Sequence, residues 1–145
     1  MTQVAIRKFK IKDYDAVVAL WEKARLPYKP KGRDSRKSIE KQIKQANTIY
    51  LVAELNNKII GSVLGTSDSR RGYINRLAVL PVFQNRGIGR QLVKEVEKQM
   101  YKIGIGIITS LVEDWNKTSL KVFQRMGYKK HKDIIYFSKR KSSQI

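Results

Sequence analysis

The sequence LAVLPVFQNRGIGR, residues 77–90, combines a strand end, a proline turn, a glycine-bearing loop and the start of an amphipathic helix. The first N–H groups of a helix have no partner inside it, and they lie at the positive end of the helix dipole. Such a helix start binds phosphate groups, and Gly87 and Gly89 leave its backbone open to a bulky pyrophosphate. Arg86 and Arg90 can add charge-assisted hydrogen bonds. The stretch predicts phosphate binding, although two glycines can also form a simple strand-to-helix turn.

The motif is distinct from two familiar phosphate-binding loops. No Gly-Lys-Ser/Thr follows the glycines, which excludes a P-loop, and the spacing Gln-x-x-Gly-x-Gly differs from the dinucleotide fingerprint G-x-G-x-x-G. Its meaning therefore depends on the elements around it.

Hydrophobic periodicity and turn residues predict the order β, α, α, β, β, β, α, β, α, β, β. The first strand reaches Lys10, Asp13 caps a helix that stops before Pro27, and Ser35 or Ser38 caps the second helix. The remaining predicted elements are a hairpin of 48–55 and 59–65, a strand 73–80, a helix between Gly87 and Gly104, a strand 105–112 buried on both faces, a helix 116–126, and last strands at Tyr128 and 134–137.

Length and composition limit the possible functions. The 145 residues suit one domain, 1–145, and 41% hydrophobic residues are enough for a core. The absence of cysteine excludes disulfides, a cysteine nucleophile and Cys-ligated metal, and the single histidine, His131, disfavours zinc, so no metal is expected. No apolar run has the roughly 20 residues of a membrane span, and the N-terminus lacks the apolar block of a signal peptide, so we expect a cytoplasmic protein.

The net charge of +19 favours an anionic partner. Nucleic acid, an anionic membrane face and a phosphorylated small molecule all fit that description. Two basic runs stand out, 29–44 and 139–141. Both can equally be solvated faces, so the charge alone leaves the partner open.

Several motifs together resemble the GNAT superfamily of acetyl-CoA-dependent N-acetyltransferases. Residues 77–90 match its "L-A-V-x-P" strand end and its Q/R-x-x-G-x-G/A loop. Residues 116–128, NKTSLKVFQRMGY, match a second block with an Asn at the start of a helix, an aromatic seven positions later, and a Gly-aromatic pair. The segment 68–73, DSRRGY, is weakly similar to the YpeA-like subgroup.

The resemblance implies a single α/β domain. Its mixed, mostly antiparallel sheet is flanked by helices, and two splayed parallel strands, 73–80 and 105–112, form the acyl-CoA cleft. It further implies that Leu77, Ala78 and Val79 pair with the pantetheine arm of acetyl-CoA, and that Asn116 and Phe123 lie beside that arm. The pyrophosphate is then held by residues 85–90: Asn85, Arg86, Gly87, Ile88, Gly89 and Arg90.

The catalytic groups are not identified by the resemblance. Many relatives have a Tyr that acts as the general acid where this chain has Phe123. Some have a Glu that acts as the general base where it has Leu111. Neither side chain here can transfer a proton. Candidate substitutes are Asp68, Glu54 and Tyr73, although each can equally be structural.

Three functions remain open at this stage. The first is acetyl transfer from acetyl-CoA to a primary amine in a ternary complex. The second is a weakened module that binds acyl-CoA without turnover. The third is a basic protein associated with RNA or the ribosome. The identity of the amine acceptor is open, and exposed sheet edges make a homodimer an expectation.

Overall fold

The computed structural model describes residues 3–145, which form one mixed α/β domain. A five-stranded sheet has the order β1-β2-β3-β4-β5. Its strands are β1 (Ala5–Lys8), β2 (Thr48–Leu55), β3 (Lys58–Ser67), β4 (Gly72–Val79) and β5 (Ile108–Ser110). The helices are α1 (Tyr14–Lys23), α2 (Arg36–Gln42), α3 (Ile88–Lys102) and α4 (Lys117–Arg125), with 3-10 turns at Ile11–Asp13 and Pro81–Phe83.

The strand pairing confirms the predicted mixed, mostly antiparallel sheet. β1 to β4 pair antiparallel in succession, and β4 pairs parallel with β5. The connection between these parallel strands contains α3, as a parallel pair requires a crossover. β5 is the edge strand of the sheet, and the expected homodimer stays a prediction.

The helices cover opposite faces of the sheet. Neighbouring strand residues point to opposite faces. On β3, Ser62 accepts a hydrogen bond from Trp21 of α1 at 3.0 Å, whereas a Cβ added at Gly61 would meet Leu92 of α3 at 3.0 Å. We call these two sides the α1 face and the α3 face. The core fills both, and Trp21, Leu92, Val96 and Met100 are fully buried.

The helix ends follow local sequence. Ser35 caps α2 by accepting from the Ser38 N–H at 3.1 Å. Gly104 and Gly127 adopt φ of +91° and +88° just beyond α3 and α4, as the glycine positions predicted. Asp13 lies at the start of α1 but makes no side-chain bond to that helix, because its carboxylate accepts from the Lys10 N–H and from Arg7.

The predicted strand 105–112 is longer than the observed one, and the two predicted strands at Tyr128 and 134–137 are wrong. The run 105–112 forms a strand only at Ile108–Ser110, and Ile107 and Leu111 are exposed rather than buried on both faces. Residues 128–145 contain no strand, and Ile135 and Phe137 are 77% and 87% exposed. Apolar, β-branched composition supplies strand propensity, but a strand also needs a neighbouring edge to complete its hydrogen bonds.

The segment 128–145 crosses from one face of the sheet to the other. Its beginning is fixed on the α3 face, where the Tyr128 hydroxyl donates to Glu97 of α3 at 2.7 Å. Its end is fixed at the loop between α1 and α2, where the Lys29 Nζ donates to the Ser143 carbonyl at 3.0 Å. Among residues 3–145, no helix is long and apolar enough to cross a membrane.

Candidate active site

A gap opens between β4 and β5 partway along β4. The parallel pairing runs only from Gly72–Ile108 to Ile74–Ser110, after which β4 continues to Val79 and β5 has ended. Within residues 3–145, no strand pairs with this edge of β4 over residues 75–79. At the closed end of the gap the Ser110 hydroxyl donates to the Ile74 carbonyl at 2.8 Å. The edge can therefore accept an extended ligand in place of a strand.

A β-bulge in β4 begins where the gap begins. Leu64 is opposite Asn75 and Ser62 is opposite Ala78, so Val63 faces both Arg76 and Leu77. Arg76 has the left-handed φ of +54°. Bulges bend a strand and increase its twist. The extra residue at this position therefore turns β4 away from β5.

The start of α3 lies directly beyond the end of β4. Gly87 precedes the helix with φ of +82°, and the Gln91 N–H is bonded to the Gly87 carbonyl at 3.0 Å. The N–H groups of residues 88–90 precede this first helical bond, so they have no partner within the helix. Arg86 and Arg90 are exposed beside them, and the first turn contains no acidic residue. This end of α3 can bind an anion through backbone N–H groups and two guanidinium groups.

The two glycines of the motif have different environments. A Cβ at Gly87 would have no neighbour within 4 Å, so the space beside it is open to a ligand. Gly89 is buried, and a Cβ there would lie 3.3 Å from Val122 of α4 and 3.8 Å from Val79. Gly89 therefore allows α3 to approach α4 closely, a packing role that the sequence argument did not include.

Gln84 links the end of β4 to the start of α4. Its Nε2 donates to the Val79 carbonyl at 2.9 Å, and its Oε1 accepts from the Thr118 hydroxyl at 3.3 Å. Sequence reasoning identified Gln84 only as the first position of the motif. Its bonds hold the two walls of the gap in place.

α4 contributes the second predicted cofactor block. Asn116 caps this helix by accepting from the Ser119 N–H at 3.2 Å, and it is half-buried. Phe123 is buried and packs edge-on against Tyr128 with ring centroids 4.9 Å apart. Burial, followed by the hydrogen bond to Glu97, raises the pKa of Tyr128. Its phenol is therefore bound to α3 as a protonated donor.

The structure places two of the three candidate catalytic residues at the opposite end of β4 from the start of α3. Asp68 lies in the β3–β4 turn, where it accepts from the Arg70 and Arg71 N–H groups at 2.9 and 2.8 Å, and from the Tyr73 hydroxyl at 3.2 Å. The N–H of Arg71, then that of Arg70, lowers the pKa of Asp68. Asp68 and Tyr73 thus stabilise a turn, about 20 Å along the strand from Val79.

Glu54 lies on β2, two strands from the gap. It accepts from Arg7 at 2.7 Å, and Arg7 also forms a two-point bond with Asp13. A cavity of about 360 Å³ adjoins this cluster between α1 and the β2–β3 hairpin. The cavity is lined by Leu80, the residue after β4, and by no residue of 75–79, so it is separate from the open edge. Within residues 3–145, no group of His, Asp and Glu side chains could hold a metal ion.

Arg76 connects the bulge to the loop between α1 and α2. Its guanidinium lies 4.6 Å from the Trp21 ring, donates to the Pro27 carbonyl at 2.5 Å, and pairs with Asp34 at 3.3 Å. Tyr50 is buried, and its hydroxyl has no hydrogen-bond partner within residues 3–145. Burial raises the pKa of Tyr50. Arg76 therefore fixes the loop between α1 and α2 to β4, and Tyr50, on β2, supplies no free base to the gap.

The model of the acetyltransferase (GNAT) family matches residues 14–128. The chain belongs to the GNAT family. The match includes the open edge of β4, the start of α3 and the whole of α4, which are the elements that form the gap. It identifies the family, and the YpeA-like subgroup stays a prediction.

Solved GNAT structures have the same fold as this chain. The aminoglycoside N-acetyltransferase AAC(6')-Iy, solved with CoA, is 19% identical, with a TM-score of 0.77 and 97% of each chain covered. The PaiA N-acetyltransferase of Thermoplasma acidophilum, in complex with coenzyme A, is also 19% identical, with a TM-score of 0.77 and 86% and 89% covered. A predicted acetyltransferase of Clostridium acetobutylicum with acetyl-CoA is 15% identical, with a TM-score of 0.75 and 94% and 96% covered.

Proposed function

We propose that this GNAT protein transfers the acetyl group of acetyl-CoA to a primary amine, with both substrates bound together. The observation that supports this best is that an unpaired strand edge and an unpaired helix start follow one another in the fold. The unpaired edge of β4, residues 75–79, is followed by the start of α3, where the N–H groups of residues 88–90 have no partner within the helix. One ligand with an extended amide-bearing arm and a pyrophosphate would satisfy both.

The proposed placement uses the chain's own groups. The N–H groups of residues 88–90, with Arg86 and Arg90, bind the pyrophosphate. The backbone of Leu77, Ala78 and Val79 pairs with the pantetheine arm as a strand would, while Asn116 and Phe123 form the opposite wall. The CoA and acetyl-CoA named in the structures of relatives support this placement through the shared fold.

Acetyl-CoA supplies a thioester carbonyl with a thiolate leaving group. The acceptor must present a neutral amine, because an ammonium has no lone pair. As the new C–N bond forms, the C–S bond breaks, the amine loses a proton to solvent and the thiolate leaves. Free N–H groups along residues 75–79 can donate to the oxyanion of the tetrahedral intermediate. Phe123 has no proton to give to the leaving group. The thiolate leaves with little assistance, because the pKa of a thiol is near 8.5.

The same reasoning favours an acceptor whose amine is neutral without a base. An α-amino group has a pKa near 7.7–8.0, whereas a lysine amine has a pKa near 10.4. At neutral pH the neutral fraction therefore differs by roughly a few hundredfold. The α-amine of a peptide or a small molecule is the acceptor that this gap supports best.

The test is thiol release from acetyl-CoA in the presence and absence of amines. The chain contains no cysteine, so no protein thiol contributes to the signal. We expect amine-dependent release that falls at least about tenfold in an Arg86→Ala/Arg90→Ala variant, since each guanidinium adds a charge-assisted bond to phosphate. A Lys98→Ala/Lys102→Ala variant removes the same charge from the other end of α3 and should leave release unchanged. Equal loss in both variants would contradict the phosphate assignment.

A second function, acyl-CoA binding without turnover, is favoured by one observation. The gap has Phe123 on one wall and none of the candidate catalytic residues beside it. A binding module would gain thermal stability from CoA but release no thiol with any amine. Appearance of release in a Phe123→Tyr variant would then identify the missing proton donor.

A further inference from the structure

We propose that the acceptor of this acetyl transfer is an acidic peptide segment, recognised by a basic rim on the α1 face of the gap. The inference rests on the proposed function and names its substrate class. The basic rim consists of five residues: Lys29, Lys31, Arg33, Lys139 and Lys141. The first three belong to the loop between α1 and α2, and the other two belong to the C-terminal segment.

Tertiary structure brings the two parts of the rim together. The Lys29 Nζ donates to the Ser143 carbonyl at 3.0 Å, and a Cβ at Gly32 would lie 2.9 Å from the Ile145 Cα. Lys139 and Lys141 precede Ser143 by four and two residues, which limits their Cα atoms to roughly 14 and 7 Å from its own. Cations more than a hundred residues apart in sequence therefore share one surface.

Among the described residues, no side-chain carboxylate neutralises the cations of the rim, and the carbonyl oxygen of Ile145, which lies beside Gly32, accepts from Arg140 rather than from a rim residue. Within residues 3–145, none of its five side chains forms an ion pair. Asp34, the carboxylate of this loop, is buried, pairs with Arg76 at 3.3 Å and accepts from the Lys29 N–H at 2.9 Å. The rim therefore presents a net positive field to an approaching acceptor.

The rim lies beside the point where β4 leaves β5. Arg76, in the bulge, donates to the Pro27 carbonyl and pairs with Asp34, which fixes the loop 27–34 to this part of β4. The phosphate-binding end of α3 belongs to the other face of the sheet. CoA bound at the start of α3 leaves the α1 face of the gap for the acceptor, and an acceptor that enters on this face passes the rim.

Electrostatics and amine chemistry together select the acceptor. Each unit charge about 7 Å from a rim cation contributes roughly 0.6 kcal/mol in water, favourable for an anion and unfavourable for a cation. Five cations therefore disfavour polyamines and favour polyanions. Among polyanions, nucleic acids offer exocyclic amines whose lone pairs are delocalised into the base. An acidic peptide instead combines carboxylates with a nucleophilic aliphatic amine.

The experiment compares an acidic, a neutral and a basic peptide of equal length, each with one free α-amine and no lysine. We expect kcat/KM for the acidic peptide to exceed that for the neutral one by about tenfold at low salt, and the difference to shrink as salt screens the rim. A Lys31→Glu/Arg33→Glu variant should lose this preference while retaining activity on the neutral peptide. Both side chains are exposed, and neither makes a hydrogen bond within residues 3–145.

The matched control is Lys98→Glu/Lys102→Glu, which makes the same change of net charge on the α3 face and should keep the acidic preference. Equal kcat/KM for acidic and neutral peptides would overturn the proposal and leave the acetyl-transfer function intact.

Binding of N-acetylated versions of the peptides, measured by fluorescence anisotropy, separates recognition from chemistry. Selective acidic binding without thiol release would support the rim and contradict the transferase function. Tighter binding of a single-stranded oligouridylate than of the acidic peptide, lost in the rim variant, would overturn the peptide assignment.

Discussion

Arg76 has a backbone conformation that arginine rarely adopts, with φ of +54° in the middle of a strand. Its side chain compensates by stacking on Trp21 and by bonding to Pro27 and Asp34. The side chains of Arg76 and Asp34 are only 10% and 6% exposed. The bulge that opens the gap is thus fixed by a buried ion pair, which costs much free energy when one partner is removed.

Replacement of Arg76 by Ala should lower the free energy of unfolding by about 3 kcal/mol, because Asp34 loses its counter-ion in a buried position. The double variant Arg76→Ala/Asp34→Asn should recover part of that loss, since it removes the unpaired charge. Urea denaturation of the three proteins measures both effects. A single variant within about 1 kcal/mol of wild type would show that the pair contributes little to stability.

Asp13 makes the free energy of unfolding depend on pH in the acid range. Burial would raise its pKa, but the hydrogen bond from Arg7 and that from the Lys10 N–H more than offset it, so the pKa lies below its usual value of 3.8. A carboxylate with a lowered native pKa stabilises the fold above its unfolded pKa, and this contribution is lost as the pH falls through the native pKa.

We therefore expect the free energy of unfolding to fall as the pH decreases below 3.8, and to fall less steeply in an Asp13→Asn variant. The variant should be less stable than wild type at neutral pH, and the difference should narrow in acid. Urea denaturation across this pH range measures it. Parallel pH profiles for the two proteins would contradict the assignment to Asp13.

At the scale of elements, α3 depends on small residues in the strands beneath it. A Cβ at Gly65 of β3 would lie 2.6 Å from Val96 Cγ1 and 3.0 Å from Met100 Cε, both on α3. Gly61 makes a similar close approach to Leu92. These glycines set the distance between α3 and the sheet, and with it the position of the helix start that we propose binds phosphate.

A Gly65→Ala variant should be destabilised by about 1–3 kcal/mol, because the added methyl group overpacks the interface with α3. Gly106→Ala is the matched control, since a Cβ there has no neighbour within 4 Å and its φ is not positive. The control should be neutral or slightly stabilised. Thermal or urea unfolding compares the two, and equal stability would contradict the packing role of Gly65.

The elements that sequence predicted well are those with their own local signals. α3 has an apolar stripe at helical spacing between two glycines, and the β2–β3 hairpin has Asn56-Asn57 at its turn with positive φ at both residues. The elements that it predicted wrongly depend on a partner. Ile107 and Ile134 belong to apolar, β-branched runs, but the first run pairs with β4 only over 108–110 and the second pairs with no strand among the described residues.

At the scale of the whole molecule, 31 Lys and Arg residues outnumber 12 Asp and Glu residues. The net charge of +19 therefore remains even if every carboxylate forms an ion pair. Within residues 3–145, the ion pairs of carboxylates with Lys or Arg involve only Arg7, Arg36 and Arg76. Most cations therefore repel one another, and such self-repulsion destabilises the compact state.

Salt should consequently stabilise this protein. We expect the Tm to rise as NaCl increases from low concentration to about 0.3 M, because the Debye length then falls below the spacing of surface cations. Differential scanning fluorimetry measures the change. A decrease in Tm over the same range would show that ion pairs outweigh repulsion.

The sequence by itself indicated the family, the order of most elements and the location of the motif that we propose binds phosphate. These follow from short-range features: a strand end, a proline turn, two glycines and an apolar stripe lie within 77–104. The resemblance to the family also implied that Phe123 and Leu111 occupy the positions of the usual general acid and general base.

Only the tertiary structure decided where distant residues meet. It placed Asp68 in the β3–β4 turn and Tyr73 at the beginning of β4, both far from the start of α3, and it placed Glu54 beside Arg7. It also joined the loop 29–33 to the C-terminal segment, which created the basic rim. Such contacts arise from chain closure over many residues, and no local propensity or spacing encodes them.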